Sequence, residues 1–211
     1  MVLLKPVEQE AQIRLMEHLK NHNGENSMLV LRPADAVETT VAWKIALENK
    51  KTPTVLILSR QNIKDLPSAI NDRYTDALKS DMGAYIVQDC EGIPDIILIA
   101  SGSEVATLVE GSLLLKNDGL KIRIVSAPSE GLFRIQTEEY KKSVIPENVP
   151  VFGLTAGLSV TLQGLVGPKG KVWGLNSFGF SAHYKILDEK FGLTAENVYR
   201  QVRDYLAEYK R

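Results

Sequence analysis

Pro53-Thr54-Val55-Leu56-Ile57-Leu58-Ser59-Arg60-Gln61 reads as an apolar strand that ends on an arginine. Val55 to Leu58 carries no charge and is rich in aliphatic and β-branched side chains, the pattern of a strand covered on both faces in a parallel sheet. Ser59 and Arg60 then stand at its carboxyl end, where ligands collect in open α/β sheets. A guanidinium in that place offers a planar fork of donors matched to phosphate or carboxylate. The alternative for Arg60 is an ordinary surface ion pair.

Upstream of this stretch, Pro6 suits the first turn of a helix, and Val7, Ala11, Leu15 and Leu19 recur every four residues, predicting a helix over about 6–20 with one apolar stripe. Met28 to Leu31 reads as a short strand closed by Arg32-Pro33. Asp35 followed by Glu38 resembles a capping box, and Val37, Val41 and Ile45 continue a helical stripe to about Glu48. Downstream, Asn62 to Met82 is rich in Lys, Asp, Pro, Ser and Asn and sustains no stripe, so it reads as a linker.

Beyond the linker the pattern alternates. Strands are predicted at 84–87, 96–100, 122–125, 151–154 and 172–175. The strand at 96–100 runs through Ser101-Gly102-Ser103-Glu104 into a helix with Val105, Leu108, Val109 and Leu113 on one face, ending at Gly119. Further helices are predicted near 137–143, 182–190 and 195–209. In the last of these Thr194 serves as cap, and Val198, Val202, Tyr205 and Leu206 form the stripe. Strands separated by helical segments give an α/β class, with a mainly parallel sheet flanked by helices and joined by right-handed crossovers.

With 25 Lys and Arg against 26 Asp and Glu in 211 residues, the net charge of −1 creates no field to attract nucleic acid or an anionic membrane, and neither partner is expected. No apolar run approaches the roughly 20 residues of a membrane span, and Met1 to Pro6 has no signal-peptide pattern. One cysteine, Cys90, excludes an internal disulfide framework and fits a reducing cytoplasm.

Three stretches are candidate sites. Ser101, Gly102 and Ser103 occupy a strand-to-helix turn, where free N–H groups and the helix dipole suit an anion, with plain turn chemistry as the alternative. The turn lacks the three-glycine dinucleotide fingerprint and the lysine of a P-loop. Ser177-Phe178-Gly179-Phe180-Ser181-Ala182-His183 precedes a helix that Ser181 is placed to cap. His183 places there an imidazole, the side-chain type whose ordinary range lies near neutral pH, with a surface or capping role as the alternative. His18 and His22 have metal-ligand spacing on a helix but no third ligand nearby. No Ser-His-Asp order, close carboxylate pair or cysteine-based center emerges, so the residues by themselves assign no catalytic side chain and no metal site.

Six segments together cover nearly the whole chain in the order found in one enzyme family: Pro6-Val7-Glu8-Gln9; Arg32-Pro33-Ala34-Asp35 with Val37-Glu38; Ala42-Trp43-Lys44; Leu56-Ile57-Leu58-Ser59-Arg60-Gln61-Asn62; Ile99-Ala100-Ser101-Gly102-Ser103-Glu104-Val105; and Ser177-Phe178-Gly179. The chain resembles the carboxyl-terminal part of transketolase. The resemblance implies a partial α/β pyrimidine-binding domain over 1–75 and the family's Rossmann-like C-terminal domain over 76–211. It implies that Arg60 grips the phosphate of a sugar phosphate. It further implies that the intact enzyme transfers a two-carbon ketol unit between sugar phosphates with thiamine diphosphate and Mg²⁺ or Ca²⁺.

The departures from the family pattern shape the expectation for this chain. Leu4 stands where the family's histidine motif ends, Thr155 replaces a glutamate, and Phe180 and His183 replace the Glu and Pro of Phe-Gly-Glu-Ser-Ala-Pro. The family's cofactor-holding domain and its activating glutamate lie upstream of the matched part. An expressed fragment or a naturally short gene product is therefore expected, binding no cofactor by itself and inactive alone. Its partner is expected to be a second copy in a homodimer or a complementary amino-terminal transketolase chain. The alternative is a non-enzymatic dimerisation or anionic-metabolite-binding module. With only two strands evident in the first segment, either pairing between copies or loss of order across residues 1–50 is expected.

Overall fold

The computed structural model describes residues 7–68 and 72–209. The amino-terminal segment begins with α1 (Gln9–Leu15), which tightens into a 3-10 turn over Met16–His18. A two-stranded parallel sheet follows, made by β1 (Leu29–Leu31) and β2 (Thr54–Leu56) with Val30 opposite Val55, and α2 (Ala36–Glu48) connects them. The Asp35 side chain accepts from the Glu38 amide at 2.7 Å and caps α2, as the spacing predicts.

β2 departs from expectation. It stops at Leu56, its residues are only half-buried, and it pairs with β1 alone among the described residues. Apolar composition marks a strand but not the number of layers over it, and among the described residues β2 is left half-buried.

α1 departs further. Leu15 and Leu19 are 64% and 54% exposed, while Arg14 and Glu17 are the buried residues of this region. The inner face is polar because it meets polar groups: Glu17 accepts from the Val30 amide at 3.0 Å, an N–H that no strand partner takes up, and Arg14 pairs with Glu10 at 2.9 Å. Periodicity finds a stripe, but it does not say which side of the helix faces inward.

The predicted linker is also structured. α3 (Arg73–Ala77) and a 3-10 turn over Leu78–Met82 lie inside it, and Leu66, Asp76, Ala77 and Ser80 are buried. Arg73 reaches back to Asp35 and Glu38, and the Leu66 amide donates to Asp35 at 3.0 Å. Side-chain ties to α2, rather than an apolar stripe, hold this stretch in place.

The larger sheet contains β3 (Tyr85–Gln88), β4 (Ile96–Ala100), β5 (Ile122–Ser126), β6 (Val151–Leu158) and β7 (Lys171–Leu175) in the order β3-β5-β4-β6-β7. All its pairings are parallel except β3 with β5, so the sheet is mainly parallel, as expected. Every residue of the central β4 is fully buried, and its side chains alternate between two cores. Ile96, Leu98 and Ala100 face α4 (Glu104–Asn117) and, from the end of the chain, Val198 and Val202. Ile97 and Ile99 face Phe133 of α5 (Glu130–Arg134), Val144 of α6 (Glu138–Val144) and Leu165 of α7 (Val160–Val166).

Of these helices, α5 and α7 are too short to present a readable stripe. In α4 the buried face is Val105, Leu108, Gly111, Ser112 and Leu115, whereas the predicted Leu113 is 57% exposed. α8 (Tyr184–Phe191) and α9 (Ala195–Tyr209) complete the chain, and α9 buries Val198, Val202, Tyr205 and Leu206 as its pattern predicts. Gly111 permits the close approach of α4 and α9, since a Cβ there would lie 2.8 Å from Val198 Cγ1.

The two parts share a core. Ala34 and Leu66 pack into the cluster that contains Tyr85, Val87 and Leu98, and Leu132 covers Leu31 and Ala42. The second part covers some of the first, since α5 contacts β1, and α1 contacts α7 and β6. Among the described residues no helix is long and apolar enough to cross a membrane.

Candidate functional site

Arg60 follows β2 by four residues and stands exposed at the mouth of a cleft of about 560 Å³. Gln61 and Asn62 form one wall, and Ser181, His183 and Tyr184 the other. No carboxylate belongs to the described lining, and no described side chain forms a salt bridge with Arg60. The neighbouring cleft of about 460 Å³ has the opposite character, with Glu104, Glu110, Asp188, Glu189 and Glu196 among its walls.

The far wall is fixed by aromatic contacts. His183 occupies the N-cap position of α8 without making a capping hydrogen bond, and its ring lies 4.6 Å from that of Tyr184 between centroids. Phe180 folds back along α8, with its ring 5.8 Å from Phe191 and the Lys190 ammonium 3.7 Å from its center. Ser181, predicted as the cap, is exposed in the same wall, and the cap position falls on His183.

The turn at Ser101, Gly102 and Ser103 is occupied by the chain itself. Arg32 Nη1 donates to the Ser101 carbonyl at 2.7 Å and to Ser101 Oγ at 3.2 Å, and it pairs with Glu104 Oε2 at 2.5 Å. Glu10 approaches Arg32 Nε at 3.4 Å from the opposite side. The Gly102 amide donates to the Arg32 carbonyl at 3.1 Å, so one N–H suited to an external anion is already engaged. Burial disfavours the charge on Arg32, but Glu104 and Glu10 outweigh it and hold the guanidinium above its ordinary value. Gly102 has φ +65, and a Cβ on it would meet Arg32 Cζ at 2.8 Å.

Gln61 joins the turn to the cleft. Its Nε2 donates to Ser103 Oγ at 3.3 Å, and Ser103 Oγ donates to Glu104 Oε1 at 2.9 Å. The residue beside Arg60 is thereby tied to the first turn of α4, which fixes where the strand end leaves the sheet.

A second polar network fastens α2 to β3. Arg73 Nε donates to Asp35 at 2.6 Å and Arg73 Nη2 to Glu38 at 3.1 Å, while the Tyr85 hydroxyl donates to Glu38. Burial raises the Glu38 carboxyl above the usual range against the opposing pull of Tyr85 and Arg73, and burial also raises the Tyr85 phenol. Sequence reading missed both arginine networks. The available signal was weak: Arg32 follows the short apolar β1 and Arg73 opens α3, and for both a surface location is the usual expectation.

The other candidates are not gathered into this region. His18 lies against Arg134, His22 is exposed, and Cys90 is half-buried with its thiol pushed up by burial and by Asp89. Thr155 is buried and accepts from the Gly157 amide at 3.0 Å. Among the described residues no group of three or more His, Cys, Asp or Glu side chains is arranged to hold a metal ion.

Comparison with known proteins accounts for both parts. Residues 83–194, more than half of the chain, match the model of the transketolase-like C-terminal domain, and residues 5–65 match that of the transketolase pyrimidine-binding domain. Transketolase 2 of Vibrio parahaemolyticus is 39% identical over 204 residues, which is 96% of this chain and 29% of that protein. Transketolase of Pichia stipitis in complex with sedoheptulose 7-phosphate superposes with a TM-score of 0.80 at 32% identity, over 97% of this chain and 28% of that one. A chain described as a split-gene transketolase, an inactive beta4 tetramer, shares the fold with a TM-score of 0.70 at 23% identity, over 96% of this chain and 62% of that one. The chain thus spans under a third of the length of the curated relatives it matches. These matches and the geometry agree that the chain belongs to the transketolase family and corresponds to its carboxyl-terminal region.

Proposed function

We propose that this chain is the carboxyl-terminal component of a transketolase whose remaining parts are supplied by a complementary chain. In the assembled enzyme it takes part in two-carbon ketol transfer between sugar phosphates, and Arg60 binds the substrate phosphate. The observation that carries this reading is an exposed, unpaired Arg60 at the end of β2, in a cleft whose described lining has no carboxylate. A sugar phosphate is the ligand bound by the Pichia relative, which supports the same chemistry here.

Assembly with another chain follows from what α2 and the small sheet leave uncovered. Trp43 and Leu47, one turn apart on α2, are 51% and 67% exposed, and β1 and β2 have no further strand beside them among the described residues. The resulting boundary between the partial pyrimidine-binding domain and the C-terminal domain falls near residue 75, inside α3, with the two units sharing a core. The turn at Ser101, Gly102 and Ser103 acts in this reading as the joint between them, its anion being the chain's own Glu104.

Thiamine diphosphate and its divalent metal do not fit the residues of this chain. The buried carboxylates are engaged by the chain itself, Glu38 by Arg73 and Tyr85, Asp35 by Arg73, Asp76 by Ser68 and Lys79, Glu17 by the Val30 amide and Glu104 by Arg32, and no acid lines the described Arg60 cleft to face an aminopyrimidine. The cofactor is therefore assigned to the complementary chain, and the residues of this chain serve to bind and orient the substrate. Alone, the chain is expected to self-associate without turnover, as the split-gene neighbour is described to do. A cytoplasmic location is part of the same proposal.

The test is a coupled assay with xylulose 5-phosphate, ribose 5-phosphate, thiamine diphosphate and Mg²⁺. The chain alone should stay at background, and mixing with a chain carrying the upstream part of a transketolase should give turnover. Turnover by the repurified chain alone would overturn the proposal.

A further inference from the structure

The Arg60 cleft contains a second cation-capable side chain that the Arg60 assignment does not use. His183 comes from the loop before α8, far from Arg60 in sequence, yet both line the same cleft of about 560 Å³. His183 makes no capping bond to α8, although it sits where a cap would act, so its ring nitrogens are not spent on the helix. Its ring is instead held by Tyr184, another cleft residue, which orients the imidazole at the rim.

Charge selects the ligand class. This cleft has Arg60 and His183 and no acid in its described lining, while the neighbouring one sets five carboxylates against two lysines, Lys64 and Lys185. An anion is drawn to the first and repelled from the second. Gln61, Asn62 and Ser181 add neutral polar groups suited to the oxygens of a sugar phosphate.

We propose that His183 acts with Arg60 as the second arm of a clamp for the phosphomonoester of the substrate. The inference rests on the assignment of Arg60 to substrate phosphate made above, and it adds a contact from the C-terminal domain to one from the pyrimidine-binding part. Arg60 supplies the planar fork and His183 a single ring N–H from the opposite wall, so the phosphate is gripped across the joint between the two parts. The two arms stay in fixed relation because Gln61 is tied to Ser103 and the His183 loop is anchored on α8 through Phe180.

The experiment is a titration of the full chain with ribose 5-phosphate, using ribose as the unphosphorylated control and following amide and histidine-ring resonances by NMR. The His183 ring and the amides of 60–62 and 181–184 should shift with ribose 5-phosphate and stay in place with ribose. Arg60→Ala should weaken binding about tenfold or more, and His183→Gln roughly threefold to tenfold. His183→Lys, which keeps a cationic donor, should retain most of the affinity. Unchanged amide spectra away from the cleft verify that each variant is folded. If Arg60→Ala weakens binding and His183→Gln does not, the clamp is wrong while the Arg60 assignment stands. If neither variant alters the titration, or no saturable binding occurs, both fall.

Discussion

Arg32, just after β1, and Glu104, at the start of α4, meet at 2.5 Å, and this pair joins the amino-terminal segment to the large sheet. Arg32 also holds Glu10 and the Ser101 carbonyl, so one guanidinium serves α1, β4 and α4 together. Replacing it by a side chain of similar length without charge leaves the buried Glu104 carboxylate uncompensated, while Glu10 keeps its pairing with Arg14. Arg32→Met should therefore cost about 3–5 kcal/mol in urea denaturation. Adding Glu104→Gln should recover part of that loss, and additive losses would show that the pair is not coupled.

Gly102 gives an independent test of the same joint. It combines φ +65 with a Cβ position 2.8 Å from Arg32 Cζ, so alanine there meets both backbone strain and a side-chain clash. Gly102→Ala should destabilise by about 1–3 kcal/mol, measured from the unfolding midpoint. Gly119 also has positive φ but open space around it, and alanine there should cost only the backbone strain of about 1 kcal/mol.

The pH dependence of stability should carry a mark of Glu17. Burial raises its carboxyl above the usual range, with Arg14 and the Val30 amide opposing. In the interval between the ordinary glutamate value and the raised one, the folded chain holds this proton more tightly than the unfolded chain. Stability therefore falls as pH rises through that interval. Glu17→Gln keeps an acceptor for the Val30 amide and removes the titration, so the slope there should become shallower. Part of it should remain, because Glu38 is raised as well. An identical slope in the variant would rule out the Glu17 contribution.

Trp43 should report assembly. It is half-exposed on the outer face of α2, whereas Trp173 is partly buried with its indole N–H donating to the Phe191 carbonyl at 2.9 Å. Adding the complementary chain should shift tryptophan emission to the blue. Trp43→Arg should weaken association about tenfold or more while leaving the chain's own stability within roughly 0.5 kcal/mol. Association and emission unaffected by the substitution would place the interface elsewhere.

The large sheet was legible because β4 is a run of five apolar residues and α9 has a full stripe, patterns that burial on both faces and on one face require. The amino-terminal segment was harder to read because polar ties position it. The Leu15 and Leu19 stripe faces outward since Glu17 and Arg14 serve the inner side, and the stretch from Asn62 to Met82 looks like a linker since its anchors are Arg73 and the Leu66 amide. Such ties depend on which chain segments meet, which periodicity does not encode. In the cleft, Arg60 could be found from its place after an apolar strand. His183 could be named from its loop, but its approach to the same cleft is a product of the tertiary fold.

The central claim is that this chain brings the phosphate-binding arginine to an enzyme completed by another chain. Its most direct test is the Michaelis constant for xylulose 5-phosphate in the reconstituted mixture, compared between the native chain and Arg60→Ala. A charge-assisted phosphate contact is worth about 1.5–3 kcal/mol, so the constant should rise about tenfold to a hundredfold, with the limiting rate changing far less. A mixture that shows no turnover, or an Arg60→Ala mixture with the native Michaelis constant, would contradict the account.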